Sequence, residues 1–151
     1  MPSGPLPVIV APPTAMQDAQ GRRITYLRIS VTDRCNFRCL YCMPEEGLVW
    51  LPKAAILSYE EIERVARAAV SIGFRKFRLT GGEPTLRPDI VDIVRRVASI
   101  EGVADVAMTT NGILLPRLAG PLAEAGLRRV NIHVDTLPPE RLKKLMHRRR
   151  R

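Results

Sequence analysis

Cys35, Cys39 and Cys42 are the only cysteines of this 151-residue chain, and they fall in one short run, Cys35-Asn36-Phe37-Arg38-Cys39-Leu40-Tyr41-Cys42. The spacing C-x3-C-x2-C lets a single loop wrap one centre. Three thiolates fill three corners of a cubane, whereas complete protein ligation of a [4Fe–4S] cluster takes four. The set therefore points to a [4Fe–4S] site with one iron open to a small molecule, much as a catalytic zinc site keeps an open position. A zinc site completed by His133 or His147 is the competing reading. Zinc sites more often pair two C-x2-C hairpins, and neither histidine follows a ligand spacing. A disulfide framework is the poorer account, because the count is odd and no export signal is evident. Clustered thiols of this kind suit a reducing compartment, so a cytoplasmic protein is expected.

Two further runs carry polar chemistry. Gly81-Gly82-Glu83-Pro84 could be a simple bend, but glycines also let backbone approach a ligand, and Glu83 can accept from an ammonium group. Thr109-Thr110-Asn111-Gly112 reads either as turn chemistry or as a second polar loop. Arg28 and Arg78 each stand between apolar neighbours. A solvated face explains them simply. If instead both faces line a barrel lumen, enclosed guanidinium groups call for anionic partners.

These runs need elements to hold them. Tyr26 to Val31 alternates, with Leu27, Ile29 and Val31 on one side, as a strand does. The cysteine loop follows directly. Residues 44–57 form a long connection. Ser58-Tyr59-Glu60-Glu61 is a capping box opening a helix through Ile62, Val65, Ala66, Ala69 and Ile72, which Gly73 ends. Phe74 to Thr80 is a second strand, ending in the Gly81 run. Pro88 opens a helix through Ile90, Val91, Val94 and Val97. Val103 to Met108 is a third strand, ending in the Thr109 run. A helix through Leu118, Leu122 and Ala125 stops at Gly126. Arg129 to Val134 is a fourth strand, and a last helix begins near Pro138-Pro139. The alternation predicts an α/β fold with a parallel sheet and right-handed crossovers, a partial (βα) barrel of about four units. Chemistry in such folds gathers at the C-terminal strand ends, where every polar loop named here falls.

Composition agrees with a globular domain: 46% hydrophobic and 26% charged residues. No apolar run approaches the ~18 residues that cross a bilayer, so no membrane partner is expected. The net charge of +9 includes Arg148 to Arg151. A basic terminus is ordinarily a solvated one, and nucleic acid is not the expected partner. The excess charge suits a phosphate-bearing substrate equally well. The organisation read from the chain is a flexible proline-rich arm over 1–23, a core over 24–146 and a basic tail over 147–151.

C-x3-C-x2-C, then Gly81-Gly82-Glu83-Pro84, then Thr109-Thr110-Asn111-Gly112, with Leu27 to Cys39 reading LRISVTDRCNFRC, resemble the radical S-adenosylmethionine superfamily. Within it they look most like the GTP 3′,8-cyclase family of lyases that opens molybdenum cofactor biosynthesis. The resemblance runs from about Gly21 to Lys144 and is most specific around Cys35–Cys42 and Arg78–Glu83. It implies a [4Fe–4S] cluster on Cys35, Cys39 and Cys42, with S-adenosylmethionine chelating the fourth iron. It also implies that Tyr41 contacts the adenine moiety through its backbone, that Gly82 with Glu83 receives the methionine end, and that Arg28, Arg78 and Thr109 face GTP. An electron donor is implied as well. Catalysis in this resemblance belongs to the cofactors, which the protein orients.

Two departures qualify it. The family more often has serine at the position of His133, where it contacts S-adenosylmethionine. Family members also continue through further strands to a segment whose cysteines bind a second cluster. The chain is therefore expected to be a truncated or frame-shifted part of a longer enzyme, unable to cyclise GTP alone. Its fourth strand would leave an open edge for a complementary C-terminal half or a homodimer partner. A radical S-adenosylmethionine enzyme of another substrate, or a zinc-stabilised binding module, is the alternative.

Overall fold

The computed structural model describes residues 16–42 and 48–145. Four strands and four α-helices alternate: β1 (Tyr26–Ser30), α1 (Tyr59–Ser71), β2 (Lys76–Thr80), α2 (Ile90–Ala98), β3 (Asp105–Thr110), α3 (Leu115–Glu124), β4 (Arg129–Ile132) and α4 (Pro139–Leu145). The strands make one parallel sheet in chain order, β1-β2-β3-β4. The alternation of strand and helix patterns thus gives the layout expected of it, each crossover being carried by a helix.

Register sorts the side chains onto two faces. Arg28 stands opposite Arg78, Arg78 opposite Ala107, and Ala107 opposite Arg129. The alternate positions Ile29, Phe77, Leu79, Val106 and Met108 are buried in the core, together with Ile62, Ala66 and Ala69 of α1, Ile90, Ile93, Val94 and Val97 of α2, and Leu122 of α3. Period-two strands and period-3.6 helices therefore meet on one face. The opposite face carries Arg28, Ser30, Arg78, Thr80 and Thr109. That face is where a ligand can lie.

Helix α1 starts at the expected capping box: Glu61 N–H donates to Ser58 Oγ at 3.2 Å, and Ser58 N–H donates to Glu61 Oε2 at 2.8 Å. Other boundaries differ from expectation by small amounts. Pro88 does not open α2 directly: Pro88 and Asp89 form a turn in which Ile90 N–H donates to the Arg87 carbonyl, and α2 begins at Ile90. β3 runs on through Thr109 and Thr110, since pairing of Thr110 with Ile132 keeps both in the ladder. β4 correspondingly ends at Ile132 rather than Val134. Within the arm expected over 1–23, Gln17 pairs with Arg23 around a turn in which Asp18 accepts from the backbone N–H of Gln20 and Arg22; residues 1–15 lie outside the described residues, as does the tail 147–151. All four residues of β4 are exposed, and among the described residues β3 is its one sheet partner, which leaves an open edge there, as anticipated.

Candidate functional site

The cysteine loop leaves β1 where the sheet's C-terminal rim begins, and the next strand's loop is laid directly against it. Val31 N–H donates to the Thr80 carbonyl at 2.8 Å, Gly82 N–H to the Thr32 carbonyl at 2.8 Å and Glu83 N–H to the Arg34 carbonyl at 2.7 Å. Strand-like pairing therefore continues past β1 and β2 into both loops. The two glycines exist for this approach. A Cβ on Gly82 would drive into the Arg34 carbonyl and lie 2.6 Å from the Asp33 carbonyl oxygen, and one on Gly81, whose φ is +136°, would drive into the Thr32 carbonyl. Backbone contact with the cysteine loop, as well as room for a ligand, explains the pair.

Glu83 is 1% exposed, and its carboxylate is taken up by the neighbouring loops. Oε1 accepts from Thr85 N–H at 3.1 Å, from the Thr85 hydroxyl, and from the Thr110 hydroxyl at 2.7 Å; Oε2 accepts from Asn111 N–H at 2.7 Å. Read from sequence, Glu83 is a residue for an ammonium ligand. In the structure it is the tie that fixes the Gly81 run to the Thr109 run, and Gly82 beside it is the exposed member. Buried carboxylates require such compensation, which explains two threonines and an amide converging on one group.

The third loop also reaches the cysteines. Asn111 Nδ2 donates to Asn36 Oδ1 at 2.7 Å. At the far end of the cysteine loop, the Tyr41 hydroxyl lies 2.8 Å from His133 Nε2 and 3.0 and 2.9 Å from the two Asp135 oxygens. Arg38 covers the loop from above: its Nη1 donates to the carbonyls of Cys35 and Phe37, and its guanidinium lies 5.2 Å from the centre of the Trp50 ring.

Cys35 and Cys39 are half-buried and Cys42 is exposed. Cys35 Sγ accepts from Phe37 N–H at 3.4 Å, the type of bond that stabilises cluster thiolates. Desolvation pushes the Cys35 and Cys39 thiols above their ordinary range, so ligation must displace protons. Desolvation and then the Asp135 carboxylate likewise raise the Tyr41 phenol. Among the described residues, no three His, Cys, Asp or Glu side chains converge closely enough to hold a single ion. A cubane asks for less convergence, because each thiolate binds a different iron. Three thiols on one loop, one of them accepting an amide N–H and one open to solvent, fit that group.

Arg28 and Arg78 lie side by side on the face opposite the hydrophobic core, with Thr109 on the same face of β3. Arg28 is exposed and Arg78 is half-buried, its guanidinium 5.6 Å from the Tyr26 ring. Arg78 Nε is buried without a hydrogen-bond partner. Arg78 therefore keeps a donor unused by the protein, on the same face as the second guanidinium.

Arg87, which sequence reasoning left unassigned, completes the rim. Its Nη1 donates to the Val31 carbonyl at 2.7 Å and the Leu57 carbonyl at 2.8 Å, while Nε and Nη2 grip the Asp89 carboxylate at 2.8 and 2.7 Å. The start of the cysteine loop, the approach to α1 and the cap of α2 thus share one guanidinium.

With this geometry in place, comparison with known proteins is decisive. A model of the radical SAM superfamily matches residues 29–151. The chain belongs to the radical SAM superfamily. It is 59% identical over 126 residues to the GTP 3′,8-cyclase of Pelotomaculum thermopropionicum, covering 83% of this chain and 39% of that one. To the GTP 3′,8-cyclase of Geobacter sulfurreducens it is 57% identical over 120 residues, covering 80% and 37%. The chain thus spans about two fifths of the length of these relatives. Among solved structures, the fold resembles BtrN in complex with AdoMet and 2-DOIA (TM-score 0.56, 19% identity, 80% of this chain and 50% of that one). It also resembles Streptococcus suis SuiB bound to S-adenosylmethionine (TM-score 0.60, 22% identity, 81% and 28%). Both likenesses are of fold alone.

Proposed function

We propose that this chain forms the cluster- and cofactor-binding part of a GTP 3′,8-cyclase, the radical enzyme that opens molybdenum cofactor biosynthesis. The observation that carries the reading is the bracing of one three-cysteine loop by the Gly81 and Thr109 runs, beside paired arginines on an open face. The high identity to GTP 3′,8-cyclases supports it. No helix among the described residues is long and apolar enough to cross a membrane.

Cys35, Cys39 and Cys42 would hold a [4Fe–4S] cluster. When bound, that cluster supplies the electron that cleaves S-adenosylmethionine and so generates the hydrogen-abstracting species. The protein's work is to place and shield. Gly82 offers exposed backbone for the amino-acid end of the cofactor, with Glu83 setting the position of that strip from beneath. Because four internal donors already bind the Glu83 carboxylate, its contribution to the cofactor is chiefly positional. The Tyr41 side chain is occupied by His133 and Asp135, which leaves its backbone for the adenine. Arg28 and Arg78 would bind the triphosphate of GTP, and Thr109 would orient the nucleoside. A one-electron donor is required, and the open edge of β4 suits a further strand, from a complementary segment or a second copy.

The test is anaerobic reconstitution with iron and sulfide, followed by reduction in the presence of S-adenosylmethionine and GTP. Release of 5′-deoxyadenosine that depends on GTP, with loss of that dependence in Arg78→Ala, is the expected result. Release indifferent to GTP but stimulated by another substrate would replace the substrate assignment while leaving the superfamily chemistry intact.

A further inference from the structure

We propose that His133 and Asp135 are positioning residues for the cysteine loop: through the Tyr41 phenol they latch the turn that carries Cys42 to the end of β4. Cys42 N–H donates to the Cys39 carbonyl at 2.9 Å, closing the turn that contains Tyr41, so a hold on the Tyr41 phenol restrains the turn that carries Cys42. The Tyr41 hydroxyl is 2.8 Å from His133 Nε2, and 3.0 and 2.9 Å from Asp135 Oδ1 and Oδ2. His133 Nε2 is itself 3.0 Å from Asp135 Oδ1. Proton count among these three groups favours one arrangement. Asp135 can only accept, so the phenol hydrogen serves the carboxylate and a hydrogen on Nε2 serves the phenol oxygen and Oδ1. The Cys39 side chain is a further hydrogen-bonding neighbour of the phenol.

Position strengthens the case. The contacts join residues more than ninety positions apart, so they close a long loop. Further ties act at the start of the cysteine loop, through Gly82, Glu83, Arg87 and the Leu51 N–H to Asp33, and at Asn36. In the last turn, Leu40 N–H also donates to the Leu145 carbonyl at 3.1 Å. Tyr41 is 61% exposed and the His133 side chain 57%, against 17% for the Asp135 side chain, so the latch is anchored on a shielded carboxylate and is otherwise open to solvent. Removing one member should free the Cys42 end while the sheet beneath stays folded.

The latch rests on geometry alone; its consequence for iron rests on the function proposed above. Amide hydrogen exchange on the full chain without iron tests the first, and iron release from the reconstituted chain to a chelator tests the second. Tyr41→Phe, Asp135→Ala and His133→Ala should each speed exchange at residues 40–42 on the order of tenfold, the usual weight of one such hydrogen bond. The double variant Tyr41→Phe/His133→Ala should do no more than either single one. His133→Gln retains a side-chain N–H and should restore most of the protection. Amides of β2 and β3 serve as the internal measure of intact folding. In the reconstituted chain, iron release should follow the same order. Unchanged exchange at 40–42 in Tyr41→Phe, or additive effects in the double variant, would overturn the latch. Should the parent chain take up no iron, the cluster reading fails, and exchange still decides the latch by itself.

Discussion

Glu83→Gln isolates what holds the rim together. The carboxylate is buried and receives four hydrogen bonds, three at Oε1 and one at Oε2. An amide has one acceptor oxygen. Placed with that oxygen toward Thr85 and Thr110, it keeps three partners but turns its NH2 toward the Asn111 N–H. One bond is lost and two buried donors face each other. The surviving bonds also weaken from charge-assisted to neutral. A buried unsatisfied group costs about 1–3 kcal/mol, and hydrogen bonds to charged groups contribute about 1.5–3 kcal/mol. A net destabilisation of about 2–4 kcal/mol follows, which for a chain of this size lowers Tm by about 4–16 °C. Urea unfolding of the iron-free chain measures it directly, with an unchanged slope confirming that the native fold is the reference. Glu83→Ala, which strands all four donors, should cost more than Glu83→Gln. A Glu83→Gln unfolding free energy within about 0.5 kcal/mol of the parent, the range of an ordinary surface substitution, would refute the claim that this carboxylate is an internal tie.

Three other outcomes follow from the same geometry. Gly82→Ala forces a methyl against the Asp33 carbonyl and should destabilise by about 1–3 kcal/mol, with faster exchange across 32–36, checked by urea unfolding and hydrogen exchange. Arg87→Lys keeps a charge but cannot serve two carbonyls and both carboxylate oxygens; a loss of about 1–3 kcal/mol is expected in the same unfolding assay. The third concerns pH: the hydrogen bonds from Arg87, with its charge, hold the Asp89 carboxyl below the usual carboxylate range. Its contribution is therefore fully present above the unfolded value near 3.9 and disappears as pH falls through the lower folded value. The stability gap between the parent and Asp89→Asn, about 1 kcal/mol at most, should stay level above about pH 5 and close below about pH 4.

Much of this architecture can be read from residue types. The Ser58–Glu61 capping box, the alternation of Leu27, Ile29 and Val31, and the stops at Gly73 and Gly126 give four βα units, and those units place the cysteine loop at a strand's C-terminal end. Local signals suffice there because each depends on neighbours within a turn or a strand. What sequence conceals is long-range. Glu83 next to two glycines looks like a ligand-facing acid, and only the packing of Thr110 and Asn111 beneath it reveals an internal tie. Arg87 carries no sign of its role in the residues around it, because its partners Val31 and Leu57 lie far back in the chain. Tyr41 carries no sign of His133 or Asp135. The strand boundaries shifted for a related reason: pairing of Thr110 with Ile132 lengthens one strand and bounds the other.

Everything rests on whether the three thiols take a cubane with an open iron. The direct measurement is iron and sulfide content of the anaerobically reconstituted chain, with the electron paramagnetic resonance spectrum of its reduced form before and after S-adenosylmethionine is added. About four irons and four sulfides per chain are expected, lost in Cys35→Ser, Cys39→Ser and Cys42→Ser alike, with a spectrum that changes on adding the cofactor. A colourless protein holding one zinc, or a cluster whose spectrum ignores S-adenosylmethionine, would contradict the account.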